Sequence, residues 1–379
     1  MSSPEFDLLC SAIRPRPDHS RIGALIAGDV DWRHVAHLAT IHGVRPQLLH
    51  GLPASVRKDI PGEIRVQFDA FQRGHLRRSV QAASQLLDIA QSLTSAAIPF
   101  ATFKGPALAI ALYGDISRRE FNDIDIVVRR DDAASAEQCL RSLGYRARHG
   151  SAEFRRTFLA YHRQYMYERP DSDLAVDLHW DFAAKGVPFP LRAHDIWQDL
   201  ESVALGGREI PVLGRTALAV FLAGHGTKEG WRSLGWIGDM ADFIGHFPGL
   251  DWQAIYNCAA ERDCGRSILL GQLLAHRLLG TGMEPGLLAR ADRDRKLQAM
   301  ANAIAGRMAL HSSRPNEDHA SSFGICETWR DKVRLAWVLA TTRTTGDYEA
   351  MPLPRPLWRL YHLTRPFRLL KTLLAREPS

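Results

Sequence analysis

The stretch FKGPALAIALYGDISRREFNDIDIVV, residues 103–128, decides the fold. It begins at the end of a short apolar run, PFATFKG, closed by Gly105. It continues through PALAIALYG, a short helix opened by Pro106, and ends in the β-branched run DIDIVV. Proline suits the first turn of a helix, where its missing N–H has no partner to lose, and β-branched residues suit a pleated strand. Strand, helix, strand is the simplest parse. Downstream, DDAASAEQCLRSLGYR reads as a helix with Asp131 or Asp132 near its start and Gly144 at its end. RQYMYE and DLAVDLHW then read as two more strands, and Arg169-Pro170-Asp171-Ser172 between them has the turn chemistry of a hairpin.

Outward from this core the texture is helical. DWRHVAHLATIHGVRPQLLHGL spaces Val35, Leu38, Ala39 and Ile41 into a stripe punctuated by Gly43 and Pro46, and SVQAASQLLDIAQSLTSA puts Leu86, Leu87, Ala90 and Leu93 on one side. The second helix ends before Ile98-Pro99, because a proline disfavours helix at the residue before it. From about residue 215 helix returns, with loops flagged by GHFPGLD, GTGMEPG and HSSRPNEDH. The expected class is α+β. A small mixed sheet core over 98–213 is flanked by a helical region over 1–97 and a helical domain over 214–350, with a basic tail helix over 351–379.

The chain's 379 residues suffice for two or three units with real cores. Its cysteines, Cys10, Cys139, Cys258, Cys264 and Cys326, are odd in number and scattered, with neither a C-x-x-C pair nor a zinc spacing. That favours a reducing, cytoplasmic setting. No stretch approaches the ~20 apolar residues of a membrane span, and the N-terminus lacks the pattern of a signal peptide. The formal net charge of +6 suits a phosphate-bearing ligand without identifying a nucleic-acid binder. Between residues 355 and 376 the tail carries Arg355, Arg359, Arg365, Arg368, Lys371 and Arg376 among leucines and aromatics, with no acid. It is either a weak contact for an anionic surface or RNA, or a helix with a solvated basic face.

The strongest chemical signal is NDIDIVV, residues 122–128. In a strand, residues i and i+2 share a face, so Asp123 and Asp125 point the same way. Two carboxylates that close repel each other unless a cation lies between them, and a hard, oxygen-seeking ion such as Mg²⁺ resolves the conflict. Asp177 in LAVDLHW shares a face with His179 and reaches the same cluster if its hairpin lies beside the 123–128 strand. Three acids on adjacent strands are a natural frame for a two-metal site acting at phosphorus. The spacing D-x-D alone also arises in exposed loop acids; the flanking turn, helix and strand favour the metal reading.

Lys104-Gly105 sits at a strand-to-helix turn, where glycine admits close approach and the helix N-terminus offers unpaired N–H groups to an anion. Triphosphate docking and a plain tight turn both fit. Arg118 and Arg119 either neutralise phosphate or pair with acids for structure.

At these residues the chain resembles a known family. The segment from 103 to 145, followed by AVDLHWDF, is similar to the uncharacterised nucleotidyltransferase family of bacteria, a branch of the superfamily that includes DNA polymerase beta and kanamycin nucleotidyltransferase. HGVRP (42–46) and HGTKEGWRSLGWIGDMADFI (225–244) agree with it, so the resemblance covers most of 35–245. It implies a mixed sheet flanked by helices, Mg²⁺ (two ions, with Mn²⁺ as the alternative) at Asp123 and Asp125, and Asp177 as third ligand and base. It also implies transfer of a nucleoside monophosphate from an NTP, ATP favoured, to an acceptor hydroxyl on a small molecule, peptide natural product or protein, with pyrophosphate released. Lys104, Gly105 and Arg119 are the nucleotide-binding candidates; His179, His225, Lys228 and Asp239 are the substrate-binding ones. The superfamily's glycine-serine turn is here Gly105-Pro106, so Lys104 is the candidate replacement for the serine's phosphate contact.

Two other classes remain. A nucleotide- or RNA-binding module without turnover would keep the fold, but the intact acid trio argues against it. A sugar-nucleotide glycosyltransferase also uses D-x-D, usually after a longer nucleotide-binding region than the hundred or so mainly helical residues found here. Nucleic acid is not the favoured partner.

Overall fold

Alternate residues of the sheet's central strands face two different cores, and that division places the site. The computed structural model describes residues 3–148, 154–155, 163–184, 186–310, 326 and 329–374. Its strands are β1 Phe100–Thr102, β2 Asp123–Val128, β3 Arg146–Ala147, β4 Gln164–Arg169, β5 Ser172–His179, β6 Leu200–Leu205 and β7 Arg208–Leu213. They form one mixed sheet in the order β3-β4-β5-β2-β1-β7-β6. The central pair β2 and β5 runs parallel, while β1 is antiparallel to β2 and parallel to β7. Ile124, Ile126 and Val128 of β2, with Val176 and Leu178 of β5, face a core shared with Leu86, Ile89 and Leu93. Val127 faces the opposite core, built from helices on both sides of the sheet in sequence.

Helices α1 Pro4–Ala12, α2 His19–Ile26, α3 Trp32–Ile41, α4 Arg45–Gly51 and α5 Ala54–Asp59 precede the long α6 Gly62–Ser95. Helix α6 begins well before the apolar stripe read from sequence. Its buried side chains Ile64, Phe68, His75, Ser79, Ala82, Leu86, Ile89 and Leu93 follow one another at three or four residues, or at two turns between Phe68 and His75. Polar His75 and Ser79 occupy two stripe positions, which hides the first half from a pattern built on apolar residues alone. α7 Gly105–Tyr113 and α8 Ala133–Ser142 fill the connections after β1 and β2.

The hairpin β6–β7 forms one edge of the sheet, beyond the strands expected from sequence. Leu205 and Arg208 pair across Gly206-Gly207, whose φ angles of +56° and +78° suit a two-residue turn of positive φ. The signal was the alternation in LESVAL and REIPVL around a Gly-Gly pair; Pro211 interrupts it. The remaining helices are Arg215–Lys228, Leu234–His246, Trp252–Ala260, Gly265–Leu279, Pro285–Arg293, Arg295–Leu310, Trp329–Thr341, Thr345–Ala350 and Tyr361–Leu374. The loop expected at HSSRPNEDH (311–319) and Arg376 of the basic tail lie outside the described residues. No helix among the described residues is long and apolar enough to cross a membrane.

Candidate active site

Parallel pairing of β2 with β5 sets Asp125 directly opposite Asp177, and Asp123 opposite Ala175. Strand alternation then sends Asp123, Asp125, Asp177 and His179 to one side of the sheet. Ligand atoms of Asp125, Asp177 and His179 all lie within 4.8 Å of one another. These three side chains are buried, and Asp123 is half-buried at the strand's start.

Each acid has a distinct electrostatic setting. Burial works against ionisation of Asp125, but Lys104 and His179 outweigh it and hold this carboxyl well below its usual range. Lys104 Nζ stands 3.3 Å and His179 Nε2 3.0 Å from Asp125 Oδ1. Burial lowers the pKa of His179, so the neutral ring donates from Nε2 to the carboxylate. Asp177 is pushed up to about 7, by burial first and by Asp125 second. Asp123 is pushed up to about 6, by Asp125 first and by burial second. Burial disfavours the Lys104 ammonium, yet Asp125 and Asp123 together raise its pKa.

Two oxygens of this cluster, Asp125 Oδ2 and Asp177 Oδ1, are buried with no hydrogen-bond partner among the described residues. Unpaired buried carboxylate oxygens are expensive, and a divalent cation is the group that would satisfy two at once. Gln164 Nε2 donates to the other oxygen of Asp177 at 3.1 Å, and Thr102 Oγ1 donates to the backbone oxygen of Asp125 at 2.8 Å. Neither is legible in the local sequence: Gln164 pairs opposite His179 only past a register shift between Tyr167 and Arg169 that the turn does not reveal.

Gly105 begins α7 with a φ of +59°, and a Cβ there would stand 3.1 Å from the carbonyl oxygen of Asp123. Only glycine takes this backbone without strain and lets the helix N-terminus lie against the acid-bearing strand. Gly105→Ala is expected to cost about 1–2 kcal/mol, the penalty of a left-handed backbone with a side chain. Because the crowded atom belongs to Asp123, Mg²⁺ affinity should fall with it; thermal denaturation and a Mg²⁺ titration read the two effects. Unchanged values for both would mean that the turn does not support the site.

The other predicted residues divide into two groups. His225 and Lys228 lie in the last turns of the helix Arg215–Lys228. His225 stacks on Phe221 with centroids 5.4 Å apart and meets the edge of Trp236. Burial, then the fields of Lys104 and Lys228, hold it well below its usual pKa. The field of Lys228 also reaches Asp177. Arg119 and Asp239 instead hold each other. Arg119 Nε lies 3.0 Å from both oxygens of Asp239, its terminal nitrogen lies 2.9 Å from Oδ2, and Tyr113 Oη donates to Oδ1 at 3.1 Å. Of the two arginines before the acids, Arg119 therefore pairs with an acid, one that lies far along the chain. The pair forms part of the wall of a cleft of about 610 Å³, which Asn122, Arg78 and Trp236 also line.

The uncharacterised nucleotidyltransferase family matches residues 28–280 of the chain. No curated protein matches it. Among solved structures, the chain is similar to the solution structure of the antibiotic-resistance factor ANT(2'')-Ia at 13% identity, covering 62% of this chain and 96% of that one with a TM-score of 0.28. It is also similar to the crystal structure of ANT(2'')-Ia in complex with adenylyl-2''-tobramycin at 13% identity, covering 59% and 97% with a TM-score of 0.27. Superpositions this loose carry no argument about mechanism.

Proposed function

Since the chain belongs to the uncharacterised nucleotidyltransferase family, we propose that it moves a nucleoside monophosphate from an NTP, ATP favoured, to an acceptor hydroxyl in a Mg²⁺-dependent reaction that releases pyrophosphate. The observation that carries this reading is the pair of buried, partnerless oxygens on Asp125 and Asp177, directly opposite each other on adjacent parallel strands. Asp125 and Asp177 would hold the ion, with Asp123 beside them as the third acid. Bound there, Mg²⁺ would neutralise charge and act as a Lewis acid toward phosphoryl oxygens.

The chain's own groups have complementary tasks. Lys104 and the N-terminus of α7 at Gly105 supply positive charge and free N–H groups for the triphosphate. Asp177, ionised when the cation is bound, takes the proton of the acceptor hydroxyl. His179 and Gln164 orient Asp125 and Asp177 through one hydrogen bond each. Lys228 lies close enough for its field to favour the ionised form of Asp177.

The raised acids make the metal-free protein pH-sensitive. Carboxyls titrating at about 6 and 7 in the fold, against an ordinary 3.8, favour the protonated native state. Their contribution to stability is complete below the ordinary value and is lost as pH rises through 6 and 7. Mg²⁺ requires the ionised forms, so its affinity should climb across that window. The rise in Tm on adding Mg²⁺ with ATP should be larger at pH 8 than at pH 5.5. Equal shifts at both, or a nucleotide response indifferent to Mg²⁺, would remove the metal from the proposal. Mass spectrometry of candidate acceptors incubated with each NTP then identifies the product by its added monophosphate.

A further inference from the structure

The C-terminal helices carry an apolar face that the rest of the described chain leaves open. Eight of the thirteen large hydrophobic residues that are exposed fall between residues 329 and 367, which is far more than chance for so short a segment. On the helix Trp329–Thr341 they are Trp329, Val333 and Trp337, at 71%, 58% and 70% exposure. Their i, i+4, i+8 spacing makes one outward stripe. The inward side of the same helix has Leu335 buried and Val338 seated over Gly186. On the helix Tyr361–Leu374, Tyr361 and Arg365 are buried while Leu363 and Phe367 stand out at 66% and 73%.

The two helices are locked together. Arg365 Nε donates to the Leu339 carbonyl at 2.6 Å, and its other nitrogen reaches Asp347. Arg368 Nε closes on the second oxygen of Asp347 at 2.7 Å. The outward stripes are thus held in place by a buried ion-pair network.

Charge accompanies this face. Residues 329–374 contain nine lysines and arginines against three acids, an excess of six that equals the formal charge of the whole chain. One of those acids, Asp347, is buried between Arg365 and Arg368. Arg365 is itself buried, and the other cations stand on helices that expose tryptophan and valine on one and leucine and phenylalanine on the other, the chemistry of interfacial helices on an anionic bilayer: the rings and aliphatics enter the headgroup boundary and the cations meet lipid phosphates. RNA would use the cations and stack on the rings, but gains nothing from Val333 and Leu363.

We propose that the helices Trp329–Thr341 and Tyr361–Leu374 form a docking face for an anionic membrane surface, which brings the enzyme to the leaflet without crossing it. This is independent of the nucleotidyl-transfer reading. The test is co-sedimentation of the full chain with phosphatidylcholine vesicles and with vesicles containing one quarter phosphatidylglycerol. Partitioning should be at least about tenfold stronger on the anionic vesicles and accompanied by a blue shift of tryptophan emission. The double variant Trp329→Glu/Trp337→Glu, altered only at exposed positions, should lose that tenfold while its thermal shift with ATP and Mg²⁺ stays the same. The proposal is overturned if the chain ignores the anionic vesicles or if the double variant still partitions. Salt-sensitive binding of poly(U) in place of vesicles, or a loss of self-association in the variant without a change in partitioning, would assign the face to RNA or to a second copy.

Discussion

Asp125→Asn is expected to lower nucleotidyl transfer by at least about a thousandfold, the scale on which catalytic electrostatics and metal clamps operate. Asp125 is the centre of the cluster: Lys104 and His179 both lean on its Oδ1, and its Oδ2 has no hydrogen-bond partner among the described residues. It is also the largest cause of the raised pKa of Asp123 and the second cause at Asp177. Removing its charge should therefore let both neighbours ionise at lower pH, moving the onset of Mg²⁺ binding downward even as the affinity drops. Pyrophosphate release with the acceptor found by mass spectrometry reads the rate, and carboxyl NMR reads the titrations. A variant that keeps more than a tenth of the rate would place the chemistry elsewhere.

Asp239→Ala should instead act on folding, by about 3–5 kcal/mol, because it strands the Arg119 guanidinium in a site where that residue is only 8% exposed. Against a typical total stability of about 5–15 kcal/mol, such a loss shows plainly in denaturant titration. Burial disfavours the Arg119 charge, and Asp239 is what restores it. The double replacement Arg119→Met/Asp239→Leu should recover most of the loss, since an apolar pair leaves no charge uncompensated. A direct role for Asp239 in substrate contact predicts the opposite: a stable, inactive single variant.

How much of this was legible depends on the range of the interaction. DIDIVV is bounded as β2 Asp123–Val128, and PALAIALY falls within α7 with Gly114 as its left-handed cap, because a two-residue period, a proline-opened turn and a closing glycine are local signals. The same period sets Asp123 and Asp125 on one face. The β6–β7 hairpin escaped because Pro211 breaks its pattern, and the first half of α6 because polar His75 and Ser79 sit in its buried stripe. Gln164 escaped because its role depends on a partner across the hairpin. The sequence around Arg119 fits a phosphate or an acid equally, since the acid it meets lies 120 residues away.

Strand period, turn chemistry and charge spacing act within a few residues, so the sequence alone determined that an acid-bearing strand follows a glycine turn and a short helix, and that the end of the chain is basic. Which strand lies beside that one, which acids therefore stand together, which arginine meets a buried carboxylate, and which tryptophans remain outside are set by register and packing. Those depend on the whole core closing at once, because a contact between distant residues gains its energy only when everything around it is already in place.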